Sequence, residues 1–424
     1  MAEPAEDLKS QKGFTVTEDW AVVILGFLII ILSLAGILVP VPAFSWSGGQ
    51  DLITNVLSSG NLMAIASQFG MVFVVALLGS WITRRPVKPF LFVFPIVFGL
   101  TLIALVLAGN QGVKALNLEA VIFSLGVGLL VGNLIDLPPW FREALSTELF
   151  VKIGLVLLGT SIIFSDILKA GSLGLIQALV VVVSVWYFAY WLCKKFSIDD
   201  DLTMMISSSV SICGVSAAIA TAGAIKGDTK KLSYVISLVL ITAIPMMIFM
   251  PMIANYFGFS QEVTGAWLGG SIDTTGAVVA SGTLVGDAAL KISTIVKFSQ
   301  NVLLGLAAFA ISVYWTYTGK GGDSDVEKPT LRVIWERFPK FVIGFMLASL
   351  LFSFFVSPDT MSNVKGSLKS IQTLWFVMAF TSIGLETKFS ELFNANSKRP
   401  LYAFLIAQSF NILVTLVIAN LLFG

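Results

Sequence analysis

The stretch Leu202-Thr203-Met204-Met205-Ile206-Ser207-Ser208-Ser209-Val210-Ser211-Ile212-Cys213-Gly214-Val215-Ser216-Ala217-Ala218-Ile219-Ala220-Thr221-Ala222-Gly223-Ala224-Ile225, running on into Lys226, Lys230 and Lys231, decides how this chain folds. About 20 helical residues cross ~30 Å of hydrocarbon, so the stretch is long enough for one membrane span. It is rich in Ser, Thr, Gly and Ala and poor in Leu, however. Basic residues gather on the cytoplasmic side of membrane proteins. Elsewhere Arg84, Arg85 and Lys88, then Arg142, then Lys194 and Lys195, then Lys320, Lys328, Arg332, Arg337 and Lys340, and finally Lys388, Lys398 and Arg399 flank apolar runs. All of these share one side with Lys226, Lys230 and Lys231 only if Leu202–Ile225 enters and leaves the membrane on the same face. By the same count Glu262–Leu284, equally rich in small residues, is re-entrant from the other face. The loop before it, Asn255–Gln261, carries no basic residue.

The apolar runs predict about eleven transmembrane helices: Trp20–Val39, Leu62–Thr83, Pro89–Gly109, Leu118–Ile135, Leu149–Ser165, Leu173–Cys193, Leu232–Ile253, Leu290–Tyr317, Phe341–Ser357, Ile371–Glu386 and Leu401–Phe423. Composition agrees. Of 424 residues 56% are hydrophobic and 12% charged, half the ~25% usual for soluble proteins, so lipid is the natural solvent. Residues 1–18 read as a cytoplasmic tail without the order of a signal peptide. Residues 19–424 read as one transmembrane domain. The fold class is an all-α polytopic membrane protein with two re-entrant helical hairpins, multi-pass in the bacterial inner membrane with its N-terminus in the cytoplasm.

Two pairs of segments resemble each other. Gly159–Leu168 is similar to Phe380–Leu385 followed by Lys388–Leu392, and Gly223, Gly227 and Asp228 align without gaps on Gly282, Gly286 and Asp287. With both hairpins re-entrant, the members of each pair run in opposite directions. Segments 149–253 and 262–317 with 371–423 thus form an inverted-repeat transporter architecture, and 19–109 adds further spans.

Irregular backbone inside a membrane is tolerated where it lines a cavity or is buried in protein. The hairpin tips, Ser211–Ser216 and Gly269–Gly276, supply glycines for the turn and helix N-termini with free N–H groups. Cys213, Gly214, Ser216, Gly270, Ser271, Thr274 and Thr275 make a candidate cradle for a small anion, with Lys297 as a candidate counter-charge. Small residues and hydroxyls also serve close helix packing alone. Asp273 is the acidic residue at the centre of the second tip. A carboxylate there is costly unless protonated, paired or bound to a cation, so it is the candidate coupling residue for Na⁺ or a proton, or a partner for Lys297. Gln300 and Asn301 lie beside Lys297 on the chain. Gln408 and Asn411 share a helix face and read as interhelical hydrogen-bonding groups.

Ile212-Cys213-Gly214-Val215-Ser216-Ala217-Ala218-Ile219-Ala220 resembles the Cys-Gly-x-Ser-Ala signature of the YeiH-like family of assumed sulfate exporters. So do Gly270–Asp273 through Val278–Gly282, Ile295-Val296-Lys297, Arg337–Val342 and Ile383–Thr387, in order, over about Val121 to the C-terminus. The resemblance implies an inner-membrane anion transporter whose two re-entrant loops meet at the substrate. Where the family commonly has His, an acidic residue and a Gln after Ser-Ile, this chain has Asp273, Thr274 and Ala277. A carboxylate is a hard oxygen ligand, which favours Na⁺ coupling.

The chain lacks His, which removes the commonest general base and metal ligand, and the nucleotide-binding Gly-x-x-x-x-Gly-Lys-Ser/Thr pattern is missing. Ser216 in Gly214-Val215-Ser216-Ala217 therefore has no base to make it a nucleophile. The expectation is a secondary transporter and not an enzyme, with no catalytic residue, metal centre or cofactor beyond a coupling Na⁺. Its partners are a small anion and lipid. A homodimer rests on analogy alone, and a net charge of +1 gives no reason for nucleic-acid binding. A passive anion channel is the competing expectation, separable by single-channel current against saturable, ion-coupled uptake.

The topology is testable with both native cysteines removed. A cysteine at Thr229 is expected to label from the cytoplasm and one at Gln261 from the periplasm. Periplasmic labelling of Thr229 would make Leu202–Ile225 a simple span.

Overall fold

The computed structural model describes residues 16–115, 120–317, 332–387 and 398–424. Most of the expected tail, together with Lys320, Lys328 and Lys388–Leu392, lies outside these. Among the described residues the architecture is all-α. Its main helices are α1 (Glu18–Leu34), α2 (Ser59–Ile82), α3 (Val87–Ala108), α4 (Ala120–Leu134), α5 (Thr147–Leu158), α6 (Phe164–Lys195), α7 (Asp200–Ser211), α8 (Val215–Ile225), α9 (Thr229–Tyr256), α10 (Gln261–Ser271), α11 (Thr275–Val285), α12 (Asp287–Tyr317), α13 (Lys340–Phe354), α14 (Pro358–Glu386) and α15 (Lys398–Phe423).

Each of the eleven expected spans falls on a helix. Eight helical stretches are long and apolar enough to cross a membrane. The other three, α1, α4 and α13, have 17, 15 and 15 residues. At 1.5 Å per residue these fall short of ~30 Å.

The two small-residue segments are hairpins of half-length helices, as their flanking charge demands. Helices α7 and α8 have 12 and 11 residues, and their outer ends meet. Lys231 at the start of α9 sits 2.7 Å from Asp199 and 3.5 Å from Asp201 at the start of α7. Asp199 also caps α7 by accepting from the Leu202 amide. Asp228 accepts from the Lys230 and Lys231 amides, capping α9, and the Lys230 bond first of all holds its carboxyl below the usual range. The second hairpin, α10 and α11, closes at the opposite end: Gln261 Oε1 accepts from the Ala288 amide at 3.2 Å.

Following the chain, the first residues of α1, α5, α9 and α13 and the last of α2 and α14 share one end of the molecule. Arg85 pairs with Glu18, the Lys340 amide donates to Asp19 and Thr147 donates to Glu386. At the other end Val39 bonds Ser367 and Lys369 pairs with Asp287. The two ends hold the two hairpin mouths, so the hairpins enter from opposite sides.

The helices pack as two sets. Helices α6, α9, α12 and α15 surround the hairpins, while α1, α3, α4, α5, α13 and α14 pack on one another. The sets meet where α11 touches α4, α5 and α14, and where Phe298 of α12 stands edge-on to Phe341 and Phe345 of α13.

Within the second set the closest approach is glycine-mediated. A Cβ on Gly128 would stand 2.3 Å from the Thr381 carbonyl oxygen, and one on Gly384 2.6 Å from the Leu125 oxygen. Small residues let membrane helices approach this closely. Gly126, on the same helix, has open space where a Cβ would go. Gly128→Ala is therefore expected to destabilise by about 1–3 kcal/mol through overpacking, and Gly126→Ala to be neutral or slightly stabilising. Thermal unfolding of the purified variants checks this, and equal melting temperatures would refute the close packing.

Candidate functional site

Both hairpins turn in the middle of the protein, so the carbonyls ending α7 and α10 and the amides starting α8 and α11 need partners away from water. Side-chain amides on the surrounding helices supply partners for the carbonyls. Gln300 of α12 donates to Ser211 O of the first tip (3.3 Å) and Gly270 O of the second (3.0 Å). Asn411 of α15 does the same, to Val210 O (3.0 Å) and Ser271 O (3.2 Å). Gln408 adds a bond to Ser271 O at 2.8 Å, and Gln177 of α6 donates to Ala266 O at 2.7 Å. Lys297 is 1% exposed. Its ammonium donates to Ile212 O (2.8 Å) and Gln300 Oε1 (2.9 Å), which places a cation against the carbonyl end of α7, where the helix dipole is negative.

The turns are tight. Gly214 has φ +60, and a Cβ there would stand 2.6 Å from Val239 Cγ1 and 3.0 Å from Asp273 Cβ. The two tips thus touch at Gly214 and Asp273. Asp273 is 1% exposed, its Oδ2 has no hydrogen-bond partner, and it forms no ion pair with Lys297 among the described residues. Ser271 Oγ and Gln408 Oε1, around the same end of α10, are likewise buried without partners.

On the other side of the tips a cleft of about 310 Å³ opens between the two sets of helices. Cys213, Ser216, Thr274 and Thr275 line it from the tips, and Thr147, Glu148, Ile383 and Glu386 from α5 and α14. An adjoining space of about 270 Å³ is lined by Lys152, Ser216, Thr275 and Asn301. The N-terminus of α8 has no side-chain cap. That of α11 has one, with Thr274 Oγ1 accepting from the Ala277 amide. Arg85 at the cleft rim belongs to the end of the molecule that carries the basic loops.

Of the residues singled out in the sequence, Cys213, Ser216, Thr274 and Thr275 face the cleft. Gly214, Gly270, Ser271, Asp273 and Lys297 lie behind the tips, in the hydrogen-bonded layer against α12 and α15. Gln408 and Asn411 act as interhelical bonds, to carbonyls of both hairpins. The sequence reading passed over Gln177, Glu148 and Lys152, used Arg85 only as a topology charge, and took Glu386 only as part of a motif. Lys152 and Glu148, charged residues four apart where an apolar span begins, were the available signal. Lys152 is held 3.0 Å from both Glu18 and Asp19. Among the described residues no group of His, Cys, Asp and Glu is arranged to hold a metal ion.

The family described as Conserved hypothetical protein 698 matches residues 92–403. A UPF0324 membrane protein of Rhodopirellula baltica is 40% identical over 369 residues, 84% of this chain and 67% of that protein. One of Nitratidesulfovibrio vulgaris is 36% identical over 383 residues, 87% of this chain and 65% of its own length. One of Nitrosomonas europaea is 26% identical over 93% of each chain. The chain thus spans about two thirds of the length of the first two relatives. No solved structure matches it.

Gln300 bonds both tips and Lys297, so Gln300→Leu strips donors from two buried carbonyls and an acceptor from Lys297. Each orphaned group costs about 1–3 kcal/mol. The variant is expected to melt well below wild type, or to fail to accumulate, whereas Ser409→Ala on the exposed face of α15 leaves the melting temperature unchanged. A Gln300→Leu protein as stable as wild type would contradict the bracing role.

Proposed function

The chain belongs to the UPF0324 membrane-protein family, the one resembled by its Cys-Gly-x-Ser-Ala tip, and we propose that it is a secondary transporter of a small oxyanion-bearing solute, a sulfur oxyanion, sulfonate or carboxylate. One observation carries this: two re-entrant tips from opposite sides present the N-termini of α8 and α11 to a single cleft between two sets of helices. Helix N-termini favour negative charge. The hydroxyls of Ser216 and Thr275 add donors, and the buried Lys297 ammonium adds positive potential from behind.

The cleft reaches the basic end, which the positive-inside rule makes cytoplasmic, so this conformation faces inward. The braces from Gln300 and Asn411 bind both hairpins to α12 and α15, and the hairpins travel with those helices against α4, α5 and α14 to open the other side. The orphaned Asp273 Oδ2 at the back of the tip is the coupling group, for Na⁺ or a proton. Nothing in this scheme uses a catalytic residue, and the protein works without one in the bacterial inner membrane.

Two variants test the reading in proteoliposome uptake. Gly214→Leu drives a side chain into Val239 and Asp273, and is expected to abolish uptake while the protein still inserts. Asp273→Asn is expected to raise the Na⁺ concentration needed, or to flatten the pH dependence if the proton is the coupling ion. Normal uptake by Gly214→Leu would move the site away from the tips, and unchanged ion and pH dependence in Asp273→Asn would remove that residue from coupling.

A further inference from the structure

An oxyanion seated at the tips faces, across the cleft, a wall that bears carboxylates. Glu148 and Glu386 line the same cavity as Ser216, Thr274 and Thr275. The cations of that wall are already engaged. Arg85 pairs with Glu18, and Lys152 is shared by Glu18 and Asp19 at 3.0 Å each and stands 3.7 Å from Glu148. Glu386 has no such partner. It accepts from the Thr147 hydroxyl at 2.6 Å, and no Lys or Arg nitrogen stands within 4.0 Å of it among the described residues.

A second acceptor points the same way. Asn301 is 6% exposed, its Nδ2 is given to Thr275, and its Oδ1 has no partner although it lines the adjoining part of the cleft. The cleft therefore offers donors on the hairpin side, an unpartnered acceptor beside them, and opposite them a carboxylate, Glu386, with no cation within 4.0 Å among the described residues. A bare oxyanion such as sulfate only accepts hydrogen bonds, so it matches the first group and is repelled by the second. A molecule with an oxyanion at one end and an ammonium at the other matches both, with a charge-assisted bond at each end.

We propose that the solute is a small zwitterion, an amino sulfonate or amino carboxylate, whose oxyanion sits at the tips and whose ammonium is received by Glu386. This rests on the tip site proposed above and narrows its substrate class.

Thermal unfolding of the purified full-length protein, titrated with taurine, β-alanine, their amine-free counterparts ethanesulfonate and propionate, and sulfate, tests it. Taurine or β-alanine is expected to stabilise the wild type with a Kd about tenfold or more below that of its amine-free counterpart, because an analogue lacking the ammonium leaves buried acceptors unpaired. Glu386→Gln is expected to erase that preference while keeping the weaker affinity for the amine-free anion. Should that variant not fold, Asn301→Leu provides the comparison, with the preference reduced. Sulfate or ethanesulfonate binding wild type as tightly as taurine overturns the proposal, as does a preference that survives in Glu386→Gln. If sulfate protects the wild type and Thr275→Leu abolishes that protection, the zwitterion falls and the tip site stands. If no compound protects, both fall.

Discussion

A peptide carbonyl that ends a helix in the middle of a membrane has no water to turn to, and leaving it unpartnered costs several kcal/mol. This protein makes that problem twice, at Ser211 and at Ser271, and much of its interior polarity answers it. Gln177, Gln300, Gln408 and Asn411 are apolar-span residues replaced by amides, and each reaches a hairpin carbonyl. Because Gln300 and Asn411 each bond both tips, the solution to a local problem also fixes one hairpin to the other. The turns at Gly214 and Asp273 can then touch, and the helix starts beyond them face outward together.

The rest of the molecule divides along the cleft this creates. The set carrying the hairpins is braced by neutral amides and one lysine. The facing set is braced at its basic end by charge, where Glu18 and Asp19 of α1 hold Arg85, Lys152 and the Lys340 amide, and by glycine contacts between α4 and α14. The first spans thus take part in the wall of the cleft, because α1 supplies the counter-charges for Arg85 and Lys152, which line it.

Much of the fold was legible because lipid restricts the menu. Apolar runs could only be helices, and three lysines after Ile225 forced the hairpin now closed by Lys231 and Asp199. The lengths of α1 and α13 were less legible, since hydropathy continues past the point where hydrogen bonding stops. At the site, the tips were found from their glycines and hydroxyls. Which face of each tip meets the cleft was not, because a one-dimensional string does not say on which side of a turn the open space lies. Ser216 and Ser271 look alike in sequence, yet one is exposed in the cleft and the other buried behind it. Glu386 was hidden for a different reason: its partner Thr147 lies 239 positions away.

The bracing of the tips also sets a timetable for biogenesis. Val210 finds its donor in Asn411, 201 positions later, and Ser211 finds its own in Gln300, 89 positions later. When the first hairpin leaves the ribosome neither amide has been made, and α7 and α8 are each too short to span the bilayer. The hairpin's base is tied by Lys231 and Asp199, but its tip is fully braced only once α15 is in place. Seating of the first tip therefore waits for α15, although α7 and α8 are made about 200 residues before it.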